Sequence, residues 1–278
     1  TGRTRMIALV TNAFANPFIN SVIDVFTDEL QDRQLVPVIL NLKGDFDWNH
    51  AVNLILQYQV DGVIVASSTV DTAFLEMVHA ANVHLIQAFG RYTGDRSIDS
   101  VFVDNTGGGR RAAQELLARG YRAPGFIGVA PGVSTSQDRL AGFSEGLAQA
   151  GITPRVIRAA GYSHDAGLAR VVDLFEAHPE LDSVFCADDL LGLGALDGLR
   201  HRLGRQVPEV GVIGFNDIQA AGWPSHPLAT FRADASQVVL NAIDLLTDRI
   251  ERGRTTGEQR IVSCQFTERG SIRERATG

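Results

Sequence analysis

Cysteine is nearly absent from this chain: only Cys186 and Cys264 occur in 278 residues. They lie in the apolar, strand-like runs Val184-Phe185-Cys186 and Val262-Ser263-Cys264-Gln265-Phe266, far from any C-x-x-C spacing. That speaks against a disulfide framework and reads as two buried thiols. Excess positive charge is missing too. Lysine and arginine number 25 against 32 acidic residues, for a net charge of -7. The chain as a whole has nothing like the basic stripe that grips phosphates, so any DNA contact would fall to a segment outside it. No apolar run approaches the roughly 18 residues of a membrane span, and no basic start leads into an apolar h-region. The expected location is the cytoplasm, although a mature secreted protein would also have lost its leader.

What is present is an ordinary globular composition, 45% hydrophobic and 21% charged, long enough for one or two lobes. Short β-branched runs alternate with stretches of helical period, the pattern of a parallel sheet covered by crossover helices. The fold class is therefore α/β. In the first half the pattern predicts strands over 6–11, 35–40, 60–66, 83–88 and 100–103, with helices over 18–31, 48–57 and 72–80 between the first four. A helix over 106–119 follows, and the pattern restarts with strands over 125–129, 156–160, 183–186, 210–215 and 229–231. A long helix is expected over 235–252, with Val238, Val239, Ala242, Leu245, Leu246 and Ile250 spaced as its apolar face. A last strand over 260–266 leads into a polar tail. Two doubly wound lobes result, joined by short segments, since no low-complexity linker separates them.

In open α/β sheets ligands bind beyond the carboxyl ends of the strands, where backbone amides and helix N-termini converge. In the first lobe these positions hold Thr11-Asn12 with Phe14 beyond, Ser67-Ser68-Thr69, and Phe89-Gly90-Arg91-Tyr92. In the second they hold Ser134 through Arg139, Tyr162-Ser163-His164, Asp188-Asp189 and Asn216-Asp217. Aromatic faces with carboxylates, amides and a guanidinium suit a polyhydroxylated or heterocyclic ligand held in a cleft between the lobes. Ser, Thr, Asp and Asn are also favoured helix caps, so any one position carries as much structural as binding meaning. Arg139 is the exception. It is expected in the first turn of a helix starting near Ser134, where a cation opposes the helix dipole, and its planar fork can hold two acceptors at once.

Signals for catalysis are weak. Gly142-Phe143-Ser144-Glu145-Gly146 fits G-x-S-x-G, but a nucleophile elbow needs a strand, a sharp turn and then a helix. Leu140, Phe143 and Leu147 instead space the apolar face of a continuous helix. Gly107-Gly108-Gly109 and Gly192-Leu193-Gly194 do not complete G-x-G-x-x-G and read as close-packed helix starts. The seven histidines show no metal-ligand spacing; His50, His79 and His178 read as surface positions. Asp188 and Asp189 are adjacent and point different ways, which assigns binding to Asp188 and a structural role to Asp189. The chain reads as a binding protein with no enzyme activity, no metal and no cofactor.

Several runs, in order along nearly the whole chain, resemble landmarks of the LacI/GalR family of bacterial transcriptional regulators. They are Ile7-Ala8-Leu9-Val10 with Asn16-Pro17-Phe18, Val60-Asp61-Gly62-Val63-Ile64-Val65, and Asp104-Asn105 before the glycines. Further on come Ser134 through Phe143, Val212-Ile213-Gly214-Phe215-Asn216-Asp217, Pro227-Leu228-Ala229-Thr230 and Glu268-Arg269-Gly270-Ser271. The resemblance implies a periplasmic-binding-protein-like fold of type I, with residues 1–103 plus 234–260 in an N-terminal lobe and 104–233 plus 261–278 in a C-terminal lobe. It implies that Arg139 holds a small-molecule effector, that Tyr162 packs a ring against it, and that Asp188 and Asn216 hydrogen-bond it. Phe14, Phe18, Ser67, Ser68 and Arg91 would line the opposite lobe. Two departures stand out: Asn216 replaces a frequent Asp, so its role could pass to Asp217, and Gly90 replaces a frequent Asn, which should leave room or remove a contact.

The same resemblance implies a repressor core that senses a sugar or nucleoside-like molecule and forms a homodimer. Operator DNA would be met through an N-terminal helix-turn-helix that this sequence does not include, and no membrane partner is implied. A periplasmic sugar receptor of a transport system shares the expected fold and cleft and remains the alternative.

Overall fold

The computed structural model describes residues 3–42, 48–92, 94 and 97–274. The chain divides into two compact units, Thr1–Val103 with Asp234–Val262 and Asp104–Ala233 with Ser263–Gly278.

The first unit is a six-stranded parallel sheet. Its strands are β1 (Met6–Thr11), β2 (Val36–Asn41), β3 (Gly62–Ala66), β4 (Leu85–Ala88), β5 (Asp99–Val103) and β11 (Gln259–Val262). Their order is β11-β5-β4-β3-β1-β2. Strands β3, β4 and β5 are buried throughout, as expected where helices cover a parallel sheet on both faces. Helix α1 (Pro17–Asp32) starts where Asn16 accepts from the amide of Phe18 and Pro17 presets the first turn. It buries Ile19, Val22, Ile23, Phe26 and Leu30, at spacings of three and four. Helices α2 (Trp48–Gln57) and α3 (Thr72–Ala80) cover one face, where Phe74, Leu75 and Val78 join Val63, Val65 and Leu85 in one core cluster.

Helix α8 (Ala235–Arg252) returns to this unit, capped by Asp234 and ended by Gly253 in the left-handed region at φ 65°. Five of its six expected apolar-face residues are buried; Ile250 is only half-buried, and Arg249 is buried in its place. Arg249 is held there by Asp99, fully buried at the start of β5, with Arg254 on the same carboxylate.

The second unit has a four-stranded parallel sheet, order β7-β6-β8-β9, built from β6 (Pro124–Gly128), β7 (Arg155–Arg158), β8 (Ser183–Cys186) and β9 (Gly211–Ile213). An antiparallel pair, β10 (Thr230–Ala233) with β12 (Cys264–Thr267), completes it. The single strand expected over 260–266 is thus two strands. Gln259–Val262 pairs with β5 in the first unit's sheet, and after Ser263 the chain pairs with β10 in the second. The last change of unit falls between Val262 and Ser263, two residues later than the sequence suggests.

Helices α4 (Asn105–Ala118), α5 (Ser134–Ala148), α6 (His164–Ala177) and α7 (Asp189–Asp197) belong to this unit. The glycine runs explain how they pack. A Cβ on Gly142 would lie 1.9 Å from the carbonyl of Thr106, and one on Gly109 would lie 2.1 Å from that of Arg139, so α4 and α5 meet backbone to backbone. Gly167 and Gly194 do the same for α6 and α7, against Leu191 and His164. Ser144 lies inside α5, away from any strand-to-helix turn, which removes the elbow geometry.

Candidate functional site

In the second unit the carboxyl ends of the strands gather the expected group around Arg139. With α5 beginning at Ser134, Arg139 is its sixth residue and sits in the second turn, so the helix-dipole argument for it loses most of its force. Its acceptors make the stronger case. Nε donates to Asn105 Oδ1 at 2.8 Å, Nη1 donates to the carbonyl of Ala187, and Nη2 reaches Asn216 Oδ1 at 3.5 Å. The guanidinium lies over the ring of Phe215, 3.6 Å from its centroid. Phe215 in turn ends a run of packed rings through Phe231 and Phe185 to Phe126 and Phe143. The side chain is buried, and burial pulls its pKa below the ordinary value while Tyr162 and Asp188 oppose that shift. An arginine has five N–H donors, and among the described residues three of them meet these acceptors.

Its companions are placed by helix starts. Asp188 is the N-cap of α7, where Oδ1 accepts from the amide of Leu191 at 2.9 Å; the side chain is buried. Tyr162 is half-buried, with its hydroxyl 3.3 Å from Thr135 Oγ1. Burial of that end pushes the phenol up, and Arg139 draws it back. Asn216 stands beyond β9 at φ 112° and Asp217 at φ 56°, in the region that side-chain-bearing residues seldom occupy. Asp217 is committed elsewhere: its Oδ1 accepts from Arg269 at 2.6 Å and its Oδ2 lies 3.9 Å from Arg232. Of the two neighbours, Asn216 is the one at Arg139.

The first unit's sheet edge holds a polar knot and an aromatic pair. Ser67 and Thr69 both donate to Asn12 Oδ1, at 2.9 and 2.7 Å, and Asn12 Nδ2 donates to the carbonyl of Thr69 at 3.1 Å. Phe18, in the first turn of α1, meets Phe89 edge to face with centroids 5.4 Å apart. Phe89 itself has φ 63°. Phe14, Ser68 and Arg91 are half-buried at the same edge. Gly90 does not leave the expected room. A Cβ there would lie 2.8 Å from Gln87 Nε2 and 3.0 Å from the Cα of Ser68, so neighbours already fill the space.

Sequence reasoning missed Asn105 and Phe215 as supports of this group, while Thr135 lay within the Ser134–Arg139 run it singled out. Asn105 carried a signal, since it follows the helix cap Asp104; Phe215 read only as the end of a strand. Cys186 is buried as expected, whereas Cys264 is half-buried, with its Sγ 3.6 Å from the carbonyl of Asp104. Burial raises both thiols, Cys264 to about 11. Among the described residues no group of three or more His, Cys, Asp or Glu is arranged to hold a metal ion. No helix among them is long and apolar enough to cross a membrane.

Parallel sheets whose carboxyl edges carry a buried arginine, carboxylate, amide and aromatic groups fit the periplasmic-binding-protein-like class. Residues 113–272 match the family described as "Periplasmic binding protein-like domain". The transcriptional regulator CelR of Thermobifida fusca is 30% identical over 272 residues, 94% of this chain and 79% of that protein. The HTH-type transcriptional repressor PurR of Actinobacillus pleuropneumoniae serotype 3 (strain JL03) is 23% identical over 91% of this chain and 76% of its own length. Among solved structures, a CelR–cellobiose complex superposes with a TM-score of 0.87 at 27% identity, covering 97% of this chain and 85% of that one. A LacI-family regulator from Enterococcus faecium with bound ribose gives 0.85 at 21% identity, covering 97% and 99%, and speaks to the fold. The chain belongs to the LacI family of transcriptional regulators and is its effector-binding part. These relatives are regulators, which favours that reading over the transport receptor.

Proposed function

We propose that this chain senses a neutral sugar or nucleoside-like effector for a cytoplasmic repressor that acts as a homodimer on operator DNA, with no catalytic step of its own. The observation that carries the proposal is Arg139: a buried guanidinium, stacked on Phe215, with protein acceptors for three of its donors. Asp188, Asn216 and Tyr162 stand beside it to take hydroxyls and a ring face; in the first unit, Phe14, Phe18, Ser67, Ser68 and Arg91 are the candidate effector residues. Effector binding favours one conformational state of the protein, and that preference is what the dimer transmits to DNA. CelR's structure with cellobiose and the Enterococcus regulator's with ribose make sugars the first class to try.

The test is a thermal-unfolding screen against cellobiose, ribose, other free sugars, sugar phosphates, nucleosides and purines, repeated for each hit with Arg139→Ala. A ligand at a hundred times its dissociation constant adds about 2.7 kcal/mol, or roughly 2–4 °C for a chain of this size. A hit lost in the variant supports the site. A hit that survives Arg139→Ala removes Arg139 from it.

A further inference from the structure

Asp188 and Asp189 open α7 side by side, but only Asp188 belongs to the effector group. Asp189 is fully buried, and its partners are the turn after β9 and the first residue of β10. Its Oδ2 accepts from the amide of Ile218 at 2.8 Å, and its Oδ1 accepts from Thr230 Oγ1 at 2.5 Å. Its own amide donates to the carbonyl of Phe215 at 3.0 Å. These bonds bracket the two residues between Phe215 and Ile218, which are Asn216 and Asp217 at their unusual positive φ. The carboxylate also comes so close to the chain that a Cβ on Gly214 would lie 2.3 Å from Oδ1, so only glycine admits it.

We propose that Asp189 is a positioning residue: its ionised carboxylate fixes the Asn216–Ile218 turn, and with it the placement of Asn216 against Arg139, so that effector affinity depends on whether Asp189 carries a proton. The affinity part rests on the reading that Arg139 and Asn216 hold the effector. A carboxylate offers only acceptors, and here it uses both oxygens; a protonated acid turns one oxygen into a donor, so it must either reverse the bond with the Thr230 hydroxyl or weaken the one from the Ile218 amide, and the charge-assisted hold on the turn is lost. The charged and titratable groups facing it are Asp188 on its own helix, Asp217 in the turn, Cys186 on β8 and Arg139 on α5. Burial pushes the Asp189 carboxyl up to about 7, the bonds from Thr230 and Ile218 pull it back, and Asp188 and Asp217 add to the rise. The exchange between the two forms therefore falls at neutral pH.

The experiment uses the whole chain labelled with nitrogen-15. Three N–H signals are followed from pH 5.5 to 8.5: the Ile218 backbone amide, the Asn216 side-chain amide and Arg139 Nε. In the wild type all three should shift together with a midpoint about 7. In Asp189→Asn, which keeps the shape and removes the charge, they should stay flat. Thr230→Val, which deletes one donor to the charged form, should move the midpoint upward; it keeps the test available should the Asn variant fail to fold. A flat wild-type titration, a titration that persists in Asp189→Asn, or an Ile218 shift with Asn216 and Arg139 unmoved would overturn the positioning role.

Calorimetry with cellobiose or another hit from the screen then reads the affinity. Binding should be about tenfold weaker at pH 6 than at pH 8 in the wild type and independent of pH in Asp189→Asn. Equal affinity at both pH values, with the signals titrating, would overturn the coupling alone. If the wild type binds nothing in the panel, the effector reading and the coupling fail, while the titration still decides the positioning.

Discussion

The guanidinium of Arg139 rests on the ring of Phe215, 3.6 Å from its centroid, while Asn105, the first residue of α4, accepts from its Nε at 2.8 Å. The plane of the fork is thereby fixed before any ligand arrives. A lysine keeps the charge but cannot span Asn105, the Ala187 carbonyl and Asn216 together. Arg139→Lys should therefore weaken effector binding nearly as much as Arg139→Ala, by about 1.5–3 kcal/mol, or roughly tenfold to a hundredfold. Titration calorimetry on a hit from the screen checks it; near-wild-type affinity in the lysine variant would show that charge alone is enough.

The close contact of α4 and α5 predicts the cost of a single methyl group. Gly142→Ala places its Cβ 1.9 Å from the carbonyl of Thr106, which is backbone and cannot rotate away. The helices must part, at about 1–3 kcal/mol. Gly132→Ala, with nothing within 4 Å of its Cβ, is the control and should unfold as the wild type does. Urea titration of both variants measures the difference, and equal midpoints would mean that the helix pair yields freely.

Much of this arrangement is legible in the sequence, and the gaps have physical causes. Cap residues such as Asn16, Asp104, Ser163, Asp188 and Asp234 mark helix starts because a side-chain oxygen is needed there whatever the fold. The change of sheet at Ser263 is not legible, because residues on either side have the same strand character and only the pairing partner differs. Gly90 misleads for a related reason: a missing side chain suggests space, and only the fold shows Gln87 and Ser68 occupying it. The positive φ of Asn216 is likewise not legible: its amide donates to the carbonyl of Phe231, and Asp189 bonds Phe215 and Ile218 on either side of the turn, partners that only the fold brings there.

A second carboxylate, outside the effector group, ties three parts of the second unit together. Asp197, at the end of α7, lies 3.0 Å from the Nε2 atoms of both His164 and His226. Burial raises its pKa, but the hydrogen bonds from the two histidines outweigh that, so the net shift is downward. A depressed carboxyl contributes stability that is present above its unfolded value, near 3.9, and lost as pH falls through the lower folded value. Asp197→Asn should thus be less stable than wild type at pH 6, by under about 1 kcal/mol for a group near the surface, with the gap closing toward pH 3. Urea melts at the two pH values test this, and an equal gap at both would show that the bonds do not depend on the charge.

Asp189 predicts the opposite slope. Its folded value, about 7, lies above that of an unfolded aspartate, so between the two the folded chain holds a proton that the unfolded chain has released. Stability contributed by that proton is full below about pH 4 and drains away as pH rises toward 7. The wild type should therefore lose a few kcal/mol between pH 5 and pH 8 that Asp189→Asn, with nothing to ionise, does not lose. What matters is the slope of unfolding free energy against pH, because the amide also changes the bonds to Ile218 and Thr230 and so shifts absolute stability. Parallel slopes would mean that Asp189 ionises at an ordinary carboxylate value. A flatter slope in the variant would mean that the buried charge is maintained at a cost in stability, as expected for a group kept for the geometry it imposes on Asn216.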